Sequence, residues 1–219
     1  MNKSLVISRI SVLTTLALLQ ACCLNGQNSR SLFFNEFHLG ITQTNVRDQN
    51  TENRTGFGLG VSRKLGKWKH LGAVIGLEYN LTRQLKHSVY GGHFYSYSEV
   101  TYSLGTLTIP LLIRLTIGRK PGLNLELGGY GEFLHYNRRH GTYVSTIPGQ
   151  PVVTNSFSSG TDLSRFNYGS SLGAGIELPL AAYTLILKAE YRAGQTDLGT
   201  SHALTFFNQY FRFSAGLRL

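Results

Sequence analysis

Several features of common soluble proteins are scarce in this sequence. It holds two cysteines, Cys22 and Cys23, both near its start, so a chain cleaved after them forms no disulfide. Only 15% of the 219 residues are charged, with 21 Lys and Arg against 11 Asp and Glu. So little charge argues against the dense Lys and Glu exterior of a soluble globule. The apolar run Ile10 to Leu19 (ISVLTTLALL) is too short to cross a bilayer as a helix. In their place the chain carries 25 Gly, 12 Tyr and 12 Phe, a composition that favours one all-β unit.

Residues 1–26 stand apart from that unit. Lys3 and Arg9 form a positive segment, the Ile10 to Leu19 run follows, and small residues come next, which is the layout of a secretory signal. Cleavage before Gln27 leaves a mature domain of residues 27–219. A lipoprotein signal is the alternative, because Leu19-Gln20-Ala21-Cys22 resembles a lipobox and would place lipid on Cys22. Most of the formal charge of +10 stays with the mature domain. An exported chain seldom meets nucleic acid, so anionic outer-membrane lipid or lipopolysaccharide is the expected counterpart of that charge.

The stretch Leu104 to Gly118 (LGTLTIPLLIRLTIG) shows the organising pattern. Leu107, Ile109, Leu111, Ile113, Leu115 and Ile117 put a branched apolar side chain at every second position, the period of a β-strand. Thr106, Thr108, Pro110, Leu112, Arg114 and Thr116 fall on the other face. An arginine there fits a strand whose apolar side meets lipid and whose other side lines a closed barrel.

The same alternation recurs in eight segments: 32–42, 56–63, 71–83, 104–118, 123–136, 165–178, 183–194 and 205–219. Connections alternate as well. Residues 43–55, 84–99, 137–164 and 195–204 are long and polar, whereas 64–70, 119–122 and 179–182 are short. Long loops at one end and tight turns at the other predict an eight-stranded antiparallel up-and-down transmembrane β-barrel with both termini in the periplasm. Trp68, among Lys67, Lys69 and His70, would mark the inner interface.

Alternation alone leaves open which face is inside, and a secreted lipocalin-like carrier would bury the apolar one. The polar face decides. It is built of Gly, Ser, Thr and Asn with a few charges: Glu36, Glu78, Glu126, Glu132, Glu177 and Glu190 against Arg114, Lys188, Arg192, Arg212 and Arg218. Charges this close to balance can pair inside a lumen just wide enough for side chains to fill, as buried charges must.

Three stretches carry a family resemblance. Leu107 to Arg114 (LTIPLLIR), Phe166 to Leu178 (FNYGSSLGAGIEL) and the closing Phe213 to Leu219 (FSAGLRL) resemble strands of the Bacteroidetes-type outer-membrane β-barrel proteins, whose relatives include PorT-like and OmpA-like eight-stranded barrels. The resemblance implies an integral outer-membrane protein, assembled by the barrel-assembly machinery and monomeric. It implies no particular activity.

Chemistry is sparse. Glu36 and His38 share the polar face and read as interior packing, with no catalysis expected. For a lipid A-modifying barrel hydrolase, His135 is the best base and Ser170 the best nucleophile, but no carboxylate shares their face. His87, His93 and His140 lack metal-ligand spacing, and Gly91-Gly92 is too short for a phosphate loop, so no cofactor or metal is expected. The third long loop, with Arg138, Arg139, His140, Tyr143 and the Ile147-Pro148-Gly149-Gln150-Pro151 turn, is the segment expected to meet a surface polysaccharide or protein.

Overall fold

A side chain that alternates between two environments needs a sheet with two unlike faces, and the chain supplies one by closing its strands into a ring. The computed structural model describes residues 34–44, 51–66, 70–118, 121–160, 163–199 and 207–219. The expected signal segment, Cys22 and Trp68 lie outside them. The strands are β1 Glu36–Thr44, β2 Thr51–Leu65, β3 Leu71–Gly92, β4 Tyr95–Ile117, β5 Gly122–Ser145, β6 Val153–Ser159, β7 Phe166–Pro179, β8 Thr184–Gly194 and β9 Gln209–Arg218. Every pairing is antiparallel. Neighbours in sequence pair from β1 to β5, then β5 with β7, β7 with β8, β8 with β9, and β9 with β1. Eight strands therefore form a closed ring with no free edge, and β6 hangs on the outer part of β5.

The ring puts the charged face inside. Leu111 is 61% exposed while its neighbour Leu112 is 2% exposed, and Arg114 and Glu126 are buried to the same degree as Leu112. Leu39, Ile109, Ile113, Leu127, Leu172 and Phe213 stand outward with Leu111. A barrel with hydrocarbon outside and carboxylates inside is stable in lipid, which excludes the lipocalin-like alternative with its buried apolar face.

The chain differs from the sequence reading beyond the apolar band. Residues 84–99 and 137–164, expected as long loops, are largely strand: β3, β4 and β5 are 22, 23 and 24 residues long. Roughly 9–11 residues suffice to cross a bilayer, so about half of each strand projects beyond it. Polar residues dominate these projections and weaken the alternation, which is why they read as loops. Each supplies the backbone partners of the next through Lys86↔Val100, Thr101↔His140 and His140↔Ser158. At the opposite end the turns are tight, and Gly66 and Gly118 take the positive φ values of 96° and 84° that favour glycine.

Two consequences follow for the folded protein. Unboiled protein in detergent should run at a different mobility from boiled protein on gels. Leu111→Arg should lower its resistance to urea in liposomes by about 2–4 kcal/mol, the cost of a cation near the bilayer midplane.

Candidate functional site in the lumen and at its mouth

The short period of the strands places the predicted lumen charges on seven of the eight ring strands, all pointing at one axis. In the layer nearer the tight turns, Arg114 of β4 donates from Nη1 and Nη2 to Glu36 of β1 at 2.6 and 2.9 Å and from Nε to Glu126 of β5 at 2.6 Å. Arg218 of β9 lies 2.7 Å from Glu36 and 2.6 Å from Glu177 of β7, which also accepts from Asn124 at 2.8 Å. Lys188 of β8 bridges upward, 3.0 Å from Glu126 and 3.2 Å from Glu190. In the next layer Arg192 lies 2.6 Å from Glu78 and 2.8 Å from Glu190, and Arg212 lies 2.8 Å from Glu78. His38 Nε2 completes that layer, 3.2 Å from Glu78.

Glu132 departs from the expected pairing of six acids with five bases. It meets no cation. Instead Tyr210, Asn167, Asn208 and Thr108 donate to its two oxygens at 2.8, 2.9, 3.0 and 3.2 Å. The other five carboxylates thus face five cations, and the sixth is held by neutral donors, each satisfying part of its lost hydration. Asn167, Asn208 and Tyr210 all fall on the polar face in the sequence, which is the signal that could have foretold it.

Above Glu132 the lumen changes character. Val100, Tyr102 and Leu104 of β4, Leu134 of β5, Leu163 and Leu198 form a buried apolar cluster, with Val89, Tyr97 and Phe157 packed against it. Leu163 pairs with Gly199, and Ser164 N–H donates to the Leu198 carbonyl at 2.8 Å, so these two segments are laced together across the mouth. At the other end, the cavity bounded by Glu36, His38, Arg114, Lys188 and Ser214 has a volume of about 20 Å³, room for about one water. Among the described residues, salt bridges occupy the lumen and an apolar cluster lies above them.

The proposed acid–base pair on the outer face is not assembled. His135 is the extra residue of a bulge, with Gly105↔Tyr136 and Thr106↔Leu134 on either side of it, and its ring lies 5.3 Å from that of Tyr79. Ser170 pairs opposite Gly129, six residues further down β5, about 20 Å away along the strand. His140, Arg138 and Tyr143 sit in β5 rather than in a loop. Among the described residues no three His, Cys, Asp or Glu side chains are grouped to hold a metal ion.

His87 has a defined role in the projecting wall. Its Nδ1 lies 2.9 Å from Glu99 of β4 and its Nε2 lies 3.2 Å from Glu52 of β2, which also has Arg54 at 3.7 Å. The hydrogen bond to Glu99 and the two carboxylate charges raise its pKa above the usual histidine value.

The fold and its two faces define an integral outer-membrane β-barrel. The chain belongs to the outer membrane protein beta-barrel domain family, whose model matches residues 25–200. Among curated proteins none matches it in sequence. Of solved structures, it is similar to Neisserial surface protein A from Neisseria, at 11% identity and a TM-score of 0.48, covering 85% of this chain and 95% of that one. It is also similar to the attachment invasion locus protein of Yersinia pestis, at 16% identity and a TM-score of 0.40, covering 85% of this chain and all of the other. That protein has also been solved with the heparin analogue sucrose octasulfate.

Arg114→Leu should destabilise the barrel by about 3–5 kcal/mol in detergent or lipid, because Glu36 and Glu126 lose a shared buried partner. Exchanging Thr116 for Val, one position along the face, should change the urea midpoint far less. The raised pKa of His87 means that its tie between β2 and β4 is complete below the ordinary histidine value and weakens as pH rises through the raised one. Protection factors of the amides of residues 84–99, which allow for the base-catalysed rise in intrinsic exchange, should therefore fall from acid to alkaline pH, and His87→Gln should flatten that fall.

Proposed function

We propose that this protein is a sealed membrane anchor that presents a recognition surface to the cell exterior and does not conduct solutes. The carrying observation is the contrast between the two ends of β3, β4 and β5. Among the described residues the cavity at Glu36 and Arg114 inside the ring holds only about 20 Å³, while outside the ring the strands continue as a paired wall. At the tip of that wall Tyr90, Phe94, Tyr95, Val152 and Val153 are exposed, and the Tyr95 and Tyr143 rings lie 6.2 Å apart. Aromatic side chains held on paired strands offer large contact area with little ordering cost on binding.

The fuller reading is an exported chain, its signal removed before Gln27, inserted as a monomer by the barrel-assembly machinery. The resemblance of Leu107 to Arg114 and Phe166 to Leu178 to PorT-like strands supports a Bacteroidetes-type relative. A role at the surface without catalysis accords with the separation of His135 from Ser170 and with the use of the lumen carboxylates in ion pairs and hydrogen bonds.

Planar-bilayer recording and cell adhesion together test this reading. Purified protein should give no stepwise conductance. Cells displaying it should bind one or more members of an array of surface polysaccharides and extracellular-matrix proteins, and exchange of Tyr90, Phe94 and Tyr95 for Ser should abolish that binding while the barrel keeps its heat-dependent mobility. Steady channel activity, or binding indifferent to the tip residues, would overturn it.

A further inference from the structure

The wall below those tips carries a second feature, on the outward face where β2, β3, β4 and β5 leave the apolar band. Pairing places Arg54 opposite Arg83, Arg83 opposite Ser103, and Ser103 opposite Arg138. Four directly opposed residues on four strands thus form one row, and three of them are arginines. All three arginines are exposed. Like charges directly opposite one another on a sheet repel, so Arg54 against Arg83 destabilises the wall unless an anion stands between them. Arg54 has Glu52 at 3.7 Å, whereas Arg83 and Arg138 have no acidic partner among the described residues.

The row lies in a hollow. A cavity of about 800 Å³ is lined by Arg54, Arg83 and Arg138 together with Ser103, Tyr136 and His140, and no carboxylate lines it. The hollow is open on one side, so it would seat a group against the wall rather than surround it. The hydroxyls of Ser103 and Tyr136 add neutral hydrogen-bonding groups to the arginine forks, a combination suited to phosphoryl oxygens.

Height along the strands selects the source of the phosphate. On β3 the outward residues Leu71 to Leu81 form the apolar band, roughly 33 Å along the strand and about 25 Å along the membrane normal once tilt is allowed for. Arg83 is the next outward residue, about 5 Å higher, where headgroups begin. On β2 the arginine likewise follows the last apolar residue, Phe57. On β4 and β5 the row stands one outward position higher, above Leu107 and Phe133, as it must in strands that tilt. The hollow opens sideways, so its neighbour is lipid in the outer leaflet rather than solute above the mouth.

We propose that this outward-facing hollow binds the phosphorylated sugar headgroup of an outer-leaflet glycolipid, with Arg54, Arg83 and Arg138 gripping its phosphate. It is independent of recognition at the hairpin tips, which lie further out on the same strands.

The test is native mass spectrometry of the detergent-solubilised full chain with lipid A carrying two phosphates, compared with the same lipid after enzymatic dephosphorylation. Wild-type protein should retain the phosphorylated form and release the dephosphorylated one. The double substitution Arg83→Glu with Arg138→Glu should weaken retention by about tenfold or more, while Arg83→Lys with Arg138→Lys should keep most of it, since Lys remains a point charge for phosphate. Heat-dependent mobility checks that each variant is folded. Equal retention of both lipids, or equal retention by the Glu variant, would overturn the proposal. Complete displacement of lipid A by millimolar inorganic phosphate would also overturn it, by assigning the hollow to a free anion.

Discussion

Compensation of buried charge in a narrow, lipid-jacketed lumen is the constraint on which the rest of this structure depends. Hydrocarbon outside the barrel is as apolar as the leucines that face it, so burying those leucines contributes little to holding one strand against another. Cohesion across the ring comes from backbone pairing and from what the lumen holds. Each lumen arginine serves carboxylates from strands that are not all its neighbours: Arg114 of β4 reaches Glu36 of β1, and Arg192 of β8 reaches Glu78 of β3. Such contacts span the axis. They tie opposite walls together where ladder hydrogen bonds join only adjacent ones.

Room for those side chains comes from glycine. A Cβ on Gly60 would stand 2.6 Å from His38 Nε2 and 2.7 Å from the Glu78 side chain, and one on Gly58 would stand 2.5 Å from Asn80. The glycines of β2 thus clear the space in which Glu78 meets Arg192 and Arg212. Filled this way, the described part of the lumen holds little free volume, and the apolar cluster around Tyr102 and Leu198 lies above it. The lumen side chains thus serve to hold the barrel together.

Much of this was legible in the sequence for a simple reason. A two-residue period with lipid on one side and a packed lumen on the other leaves a mark at every position, and Leu107 to Ile117 shows it without interruption. Lumen residues were legible by the same parity. Glu132 was misread as one more ion-pair member, because parity gives a residue's face but not its height among the cations. The projecting halves of β3, β4 and β5 were missed because their outward face meets water rather than lipid and turns polar, which removes the outward apolar mark that alternation needs. The apolar plug was missed for a related cause: Val100, Tyr102 and Leu104 keep lumen parity but change from polar to apolar, a switch that only the third dimension explains.

A single inserted residue connects the two zones of the outer wall. Glu126, Glu132 and Leu134 point inward at even positions, and without interruption Arg138 would follow them into the apolar mouth while Arg139 faced out. The bulge at His135 reverses the parity of β5 above it. Arg139 then turns in, where its guanidinium lies 5.6 Å from the Tyr97 ring and its Nε donates to Ser159 at 3.0 Å. Arg138 turns out and joins Arg54 and Arg83 in the basic row. One extra residue therefore secures the hairpin that carries the tips and completes the row beneath them. The histidine first considered as a catalytic base acts through its place in the backbone.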